Sequence, residues 1–211
     1  MPIIYRESSH LGFSTIEGWV NLQLFHVFYW LVGGSFTALI GGKMIAAEID
    51  SKQIDLILTR AIKRSEIIIS RYVVMLFYAL CLVVSVFIGI VLETEEINYP
   101  ILFASFTILP FITLVGTITI LVSTFIKGQI KCLITVAIFV GISFSFTEMI
   151  IKLVPELKPF ENLSIFNYYR SNDILLRNEF NVNNIVILAV LNLICLAIAI
   201  IIFESKDIMV D

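Results

Sequence analysis

Charge is scarce in this chain. Asp, Glu, Lys and Arg supply only 15% of its 211 residues, while apolar residues reach 59% and the mean hydropathy is +0.98. A soluble domain carries about 25% charge and about 45–50% apolar residues, so an ordinary water-facing globule is excluded and lipid is the expected solvent. No basic face is visible, which removes nucleic acid as a partner. The three cysteines, Cys81, Cys132 and Cys195, all sit in apolar runs with no metal-like spacing, and read as small buried hydrophobes. Of the two histidines only His26 lies in an apolar run, where a lone imidazole reads as a hydrogen-bonded or interfacial group. The start, "MPIIYRESSHLGF", lacks the basic stretch and short apolar core of a signal peptide.

Absent motifs narrow the chemistry. No Asp falls within an apolar run and no HExxH occurs, so the paired groups an intramembrane protease needs are missing. No GxxxxGK[ST] loop is present to cradle ATP. Neither an internal repeat nor a midplane charge pair points to a secondary carrier.

What is present is long apolar runs. A helix needs about 20 apolar residues to cross the hydrocarbon core, and five segments qualify: 22–47, 67–92, 101–126, 130–153 and 185–203. Pro110 inside the third should kink it, which a membrane helix tolerates when its neighbours serve the freed backbone groups. The expected fold is all-α and integral to the membrane. Lys and Arg cluster in 48–72, in "KGQIK" and at Lys206, while "ETEEINYP" has none. The positive-inside rule puts those basic segments in the cytoplasm. The expected layout of the single membrane domain is then 1–21 as an extracytoplasmic or interfacial N-terminus, 48–64 as a cytoplasmic loop, 154–184 as an extracytoplasmic loop and 204–211 as a cytoplasmic tail.

The one long charged stretch, "EIDSKQIDLILTRAIKRSEIIISRY", begins at Glu48. Ile54, Ile57 and Leu58 share one helical face at i, i+3, i+4 spacing, with Asp50, Lys52 and Asp55 around the rest. That pattern fits equally an interfacial helix on anionic lipid and a docking helix that inserts two or three apolar side chains into a partner's groove. Ser65, ahead of an apolar run, reads as the N-cap of the second span.

"AAEIDSKQIDLILTRAIKRSEIIISR" resembles the signature loop of ABC-2 type permeases, the membrane subunits of many bacterial and archaeal ABC exporters. Glu48, Ile54, Asp55, Leu56, Ile57, Leu58, Thr59, Arg60, Arg64 and Arg71 fit that family's pattern, whereas Lys52, Gln53 and Ala61 stand where Gly, Thr and Pro are usual. "FESKDIMVD" at the other end is similar to the family's terminal Phe-x-x-basic-Asp, through Phe203, Lys206 and Asp207. The resemblance implies that Glu48, Ser51, Ile54, Asp55, Ile57, Leu58, Arg60 and Arg64 form a coupling helix docked on a separate ATPase. ATP and Mg would belong to that partner, with no cofactor or metal on this chain. It further implies a multi-pass protein of a bacterial or archaeal plasma membrane, about five helices in a family pattern of six that lacks the first. Further partners would be a second permease, identical or different, a small protein that supplies the missing helix, and membrane lipid. A non-transporting immunity, sensor or accessory subunit of an ABC complex would carry the same fold.

Within the spans, Gly34, Ala38, Gly42 and Ala46 recur every four residues, the small-residue spacing that lets membrane helices approach closely. The stripe suits a contact within the chain or with a second permease. Glu148 and Lys152 at i, i+4 read as a snorkelling ion pair. Thr113, Thr117, Ser123, Ser143, Ser145 and Asn192 either line a path or bond their own helix backbones. Asn162 heads an "NLS" sequon.

Overall fold

The computed structural model describes residues 20, 24–25, 28–50, 63–94, 99–126, 128–169, 173–175 and 179–205, with 43–50, 64 and 94 as backbone only. Helices dominate, and no strand occurs among the described residues. Helix α1 spans Phe28–Asp50, α2 Arg64–Thr94, α3 Tyr99–Phe125 and α5 Val182–Ser205. Between the last two, α4 runs Gln129–Leu153 and passes through π-helical turns at Phe146–Ile150. Two 3-10 segments, Pro155–Leu163 and Ile165–Tyr168, follow it.

Helices α2 to α5 are each long and apolar enough to cross a membrane, and α1 is apolar from Phe28 to Gly42. At 1.5 Å per residue the 24 residues of α5 reach about 36 Å, more than the roughly 30 Å of hydrocarbon. Large side chains such as Val73, Phe77 and Leu80 on α2, Ile134 and Ile138 on α4, and Val190 and Ile201 on α5 stand exposed. A surface of that kind suits lipid and a multi-pass membrane protein.

The bundle is four helices around one. Helix α3 is buried over most of its length, from Ile101 to Thr124. Helices α4, α1, α2 and α5 surround it in that order, each packed on the next except that α4 and α5 barely meet. Side-chain contacts set the directions: Gly33 stands beside Ile112 and Gly41 beside Gly116, so α1 runs parallel to α3. The turn from α3 to α4 is tight. Gly128 holds φ +104°, a backbone region that L side chains avoid, and its carbonyl accepts the Cys132 N–H at 3.1 Å.

Several boundaries differ from those expected. Helix α1 is described from Phe28 and runs on to Asp50, three residues past the expected end at 47; 22–23 and 26–27 of the expected span lie outside the described residues. Ser65 is not an N-cap, because α2 starts one residue earlier, at Arg64, and the Glu66 N–H bonds the Lys63 carbonyl at 3.0 Å. Glu66 then lies in the first turn, where a carboxylate complements the helix dipole. The third, fourth and fifth apolar runs fold where expected, within three residues at each end. Helix α3 continues through Pro110.

Candidate functional site

Three helices, α1, α2 and α3, approach closely at Gly116. A methyl group added to Gly41 would stand 2.7 Å from the Gly116 carbonyl oxygen, and one added to Gly116 would collide with the Met75 sulfur and press on Thr37 at 3.0 Å. Thr37 binds the two helices polar to polar: its hydroxyl donates to the Ile112 carbonyl at 2.6 Å. Beneath this crossing Ile68, Met75, Ile120, Ala199 and Phe203 form a buried cluster that joins α2, α3 and α5 at the end carrying residues 50 and 64.

A second polar contact ties α5 to α3. Asn192, buried on α5, donates through Nδ2 to the Thr113 hydroxyl at 3.0 Å and to the Pro110 carbonyl at 3.2 Å. Its Oδ1 accepts from the Thr117 hydroxyl at 2.5 Å. Both N–H groups and the oxygen of the amide thus have partners, which burial in an apolar bundle demands. Thr113 and Thr117 also lie 2.9 and 2.8 Å from the Leu109 and Thr113 carbonyls of their own helix.

At the opposite end the chain after α4 turns back and plugs the bundle. Phe166 is buried against Trp30 and Phe111 with ring centroids 4.9 Å away, and against Phe144 at 5.3 Å. Hydroxyls fasten this segment on one side: Thr147 donates to Ser164 Oγ at 2.6 Å, and Ser164 donates to the Ser143 carbonyl at 3.0 Å. The π-helical turns that begin at Phe146 carry Thr147; such turns recur at functional positions in helices. On the other side Tyr169 donates to the Phe25 carbonyl at 2.8 Å. Beside the plug lies a polar cavity of about 480 Å³ lined by Thr107, Asn162, Asn167, Asp173, Asn181 and Asn184 among others.

Of the residues singled out for docking, Glu48 lies in the helical backbone of α1 and Arg64 opens α2. Ser51, Ile54, Asp55, Ile57, Leu58 and Arg60 lie outside the described residues, as do His26, Lys206 and Asp207. Gly34 and Gly42 face their own chain, the first near Val115 at 3.7 Å and the second near Thr119 and Leu133 at 3.4 and 3.5 Å. Ala38 is buried and Ala46 is described as backbone. Lys152 pairs with Glu148 at 2.6 Å. None of the three cysteines is in a disulfide; Cys132 is buried and its thiol donates to the Ile126 carbonyl at 3.2 Å, whereas Cys81 is exposed and Cys195 only partly buried, unlike the three buried thiols expected. Among the described residues no group of three His, Cys, Asp or Glu is placed to hold a metal.

Two features escaped the sequence. The tighter stripe on α1 is Gly33, Thr37 and Gly41, one residue ahead of the expected one; the doublets Gly33–Gly34 and Gly41–Gly42 give both registers the same small-residue spacing. Phe166 and Tyr169 sit in a stretch whose mixed polarity reads as a solvated loop, and only the three aromatics within "IFNYY" hint at burial.

The family model described as "Protein of unknown function (DUF2705)" matches residues 5–209. No curated protein and no solved structure matches the chain.

Proposed function

The chain belongs to the DUF2705 family, and from that premise we propose that it is the membrane-spanning permease subunit of an ATP-binding-cassette exporter. The observation that supports this reading most is mechanical. Helix α1 keeps its helical backbone through Glu48 to Asp50, α2 begins at Arg64, and both close on Gly116 of α3. A partner that grips 48–64 would therefore hold two levers that converge on the central helix. With glycine at the crossing, side chains interlock against backbone, and a displacement is passed on as a rigid shift.

In this reading residues 48–64 are the coupling helix, with Ile54, Ile57 and Leu58 in a groove of the ATPase subunit. Burying each would contribute about 1.5–3 kcal/mol. ATP and Mg bind the partner, and nucleotide shifts the permease between two states through its unequal affinity for them. This chain performs no catalysis. Helix α1 serves as a fifth span, and a second permease, identical or different, completes the exporter. A small one-helix protein is the proposed source of the family's first span. The setting is the plasma membrane of a bacterium or archaeon, with 48–64 in the cytoplasm.

The test is affinity purification of the tagged chain in mild detergent from cells that express their own ATPases, with mass spectrometry of what is retained. An ATP-binding-cassette subunit is expected in stoichiometric amount. Recovery of the chain alone would overturn the reading and return the charged stretch to the membrane surface.

A further inference from the structure

A bay of about 350 Å³ opens on the lipid-facing side of the bundle between α1 and α4. Gly34, Ser35 and Ala38 line one wall, Ala137 and Gly141 the other, and Val115 of α3 forms part of the floor. Apart from Ser35 and Trp30, the lining is aliphatic or glycine. Exposed positions on the neighbouring α2 are bulky, with Val73, Phe77, Leu80, Val84 and Ile88 facing outward. Here the exposed positions between the bulky Leu31 and Leu39 of α1 are small, Ser35 on that helix and Ala137 and Gly141 on α4. Ala137 and Gly141 are exposed, and a methyl group added to Gly141 would meet no atom within 4 Å.

The bay is short and closed at its ends. Its α4 wall runs from Leu133 to Gly141, about 12 Å at 1.5 Å per residue. Toward one end the Leu133 side chain fills the space beside Gly42, 3.5 Å from where a methyl would stand. Toward the other the Trp30 ring meets Phe144 at 4.9 Å. A straight helix is about 10–12 Å across and rigid; laid along this face it would ride on the exposed Leu31 and Leu39 and bridge the hollow. A flexible hydrocarbon chain has no such constraint and fills it in contact with three walls, which gains the dispersion contacts that an empty hollow forfeits.

We propose that this bay is a binding site for one acyl chain of a membrane phospholipid. The proposal rests on the chain's placement in a membrane and not on the exporter reading.

The experiment uses the full-length chain in phosphatidylethanolamine–phosphatidylglycerol vesicles that contain a trace of phospholipid with a photoactivatable diazirine midway along one acyl chain. Cross-linked peptides are mapped by mass spectrometry. Label is expected to concentrate on 30–39 and 133–141, to exceed that on the exposed face of α2, and to saturate as probe is added. Gly141→Leu puts a branched side chain into the bay at a position where an added methyl meets nothing within 4 Å, and should abolish the saturable label. Gly89→Leu adds the same bulk on α2, where a methyl likewise meets nothing within 4 Å, and should leave the label intact. Even labelling of α2 and the bay, or saturable label that survives Gly141→Leu, would overturn the proposal. So would chain-to-chain cross-links at 133–141, which would put a second copy there. None of these outcomes depends on whether an ATPase co-purifies.

Discussion

The hydroxyl of Tyr169 and the carbonyl of Phe25, separated by 144 positions in sequence, stand 2.8 Å apart. Together with the fastening of Ser164 to Ser143 at 3.0 Å, this contact holds Phe166 in the end of the bundle from both sides. Tyr169→Phe removes the donor and keeps the ring. We expect a loss of about 0.5–1.5 kcal/mol, read as a lower midpoint of thermal unfolding in detergent, with the helical content of the folded protein unchanged.

The two interleaved glycine registers of α1 predict opposite outcomes for the same substitution. Gly41→Ala drives a methyl to 2.7 Å from a backbone oxygen that cannot retreat, whereas Gly34→Ala meets only Val115 at an ordinary 3.7 Å. Gly41→Ala should destabilise by about 1–3 kcal/mol. Gly34→Ala should be neutral or gain up to about 1 kcal/mol from lost unfolded-state freedom. Paired unfolding midpoints check both, and equal effects would show that the registers are interchangeable.

Asn192→Leu should cost little for a buried amide. Thr113 and Thr117 fall back on the Leu109 and Thr113 carbonyls already within 2.9 and 2.8 Å, and hydrogen bonds between membrane helices average about 0.6 kcal/mol and rarely exceed about 1.7. Asn192→Asp is isosteric but brings a charge into the bundle, with an insertion cost of about 2.5–3.5 kcal/mol. The expected order of stability is wild type, then Leu, then Asp, measured by unfolding in detergent. An Asp variant as stable as wild type would mean that water reaches this contact.

If 48–64 docks on an ATPase, the double variant Ile57→Asp and Leu58→Asp should lose the co-purifying subunit and still insert in the membrane. Retention of the ATPase would assign the docking face elsewhere.

The spans were legible because lipid imposes one rule everywhere along a helix, and a run of apolar residues records it. The ends were less so: Ser65 has the chemistry of a cap, yet α2 starts at Arg64 and draws Glu66 into its first turn. The choice between Gly33–Thr37–Gly41 and Gly34–Ala38–Gly42 depends on a rotation of about 100° per residue, and composition is blind to it when glycines come in pairs. The burial of Phe166 was hidden for a different reason. It depends on rings contributed by Trp30, Phe111 and Phe144, three helices whose proximity no local pattern encodes. Asn192 stood out as a polar group in an apolar run, but its partners were set by which face of α3 it meets.

The Asn192 contact also orders events during synthesis. Helix α3 emerges long before α5, and its threonines can wait in lipid because each hydroxyl has a carbonyl of its own helix in reach. The amide of Asn192 has no such provision among its bonds: its partners at Pro110, Thr113 and Thr117 all belong to α3. The last helix thus arrives owing three hydrogen bonds to a helix already in place, and a chain cut short before residue 182 would leave α3 without that neighbour yet with no polar group stranded on it by the loss.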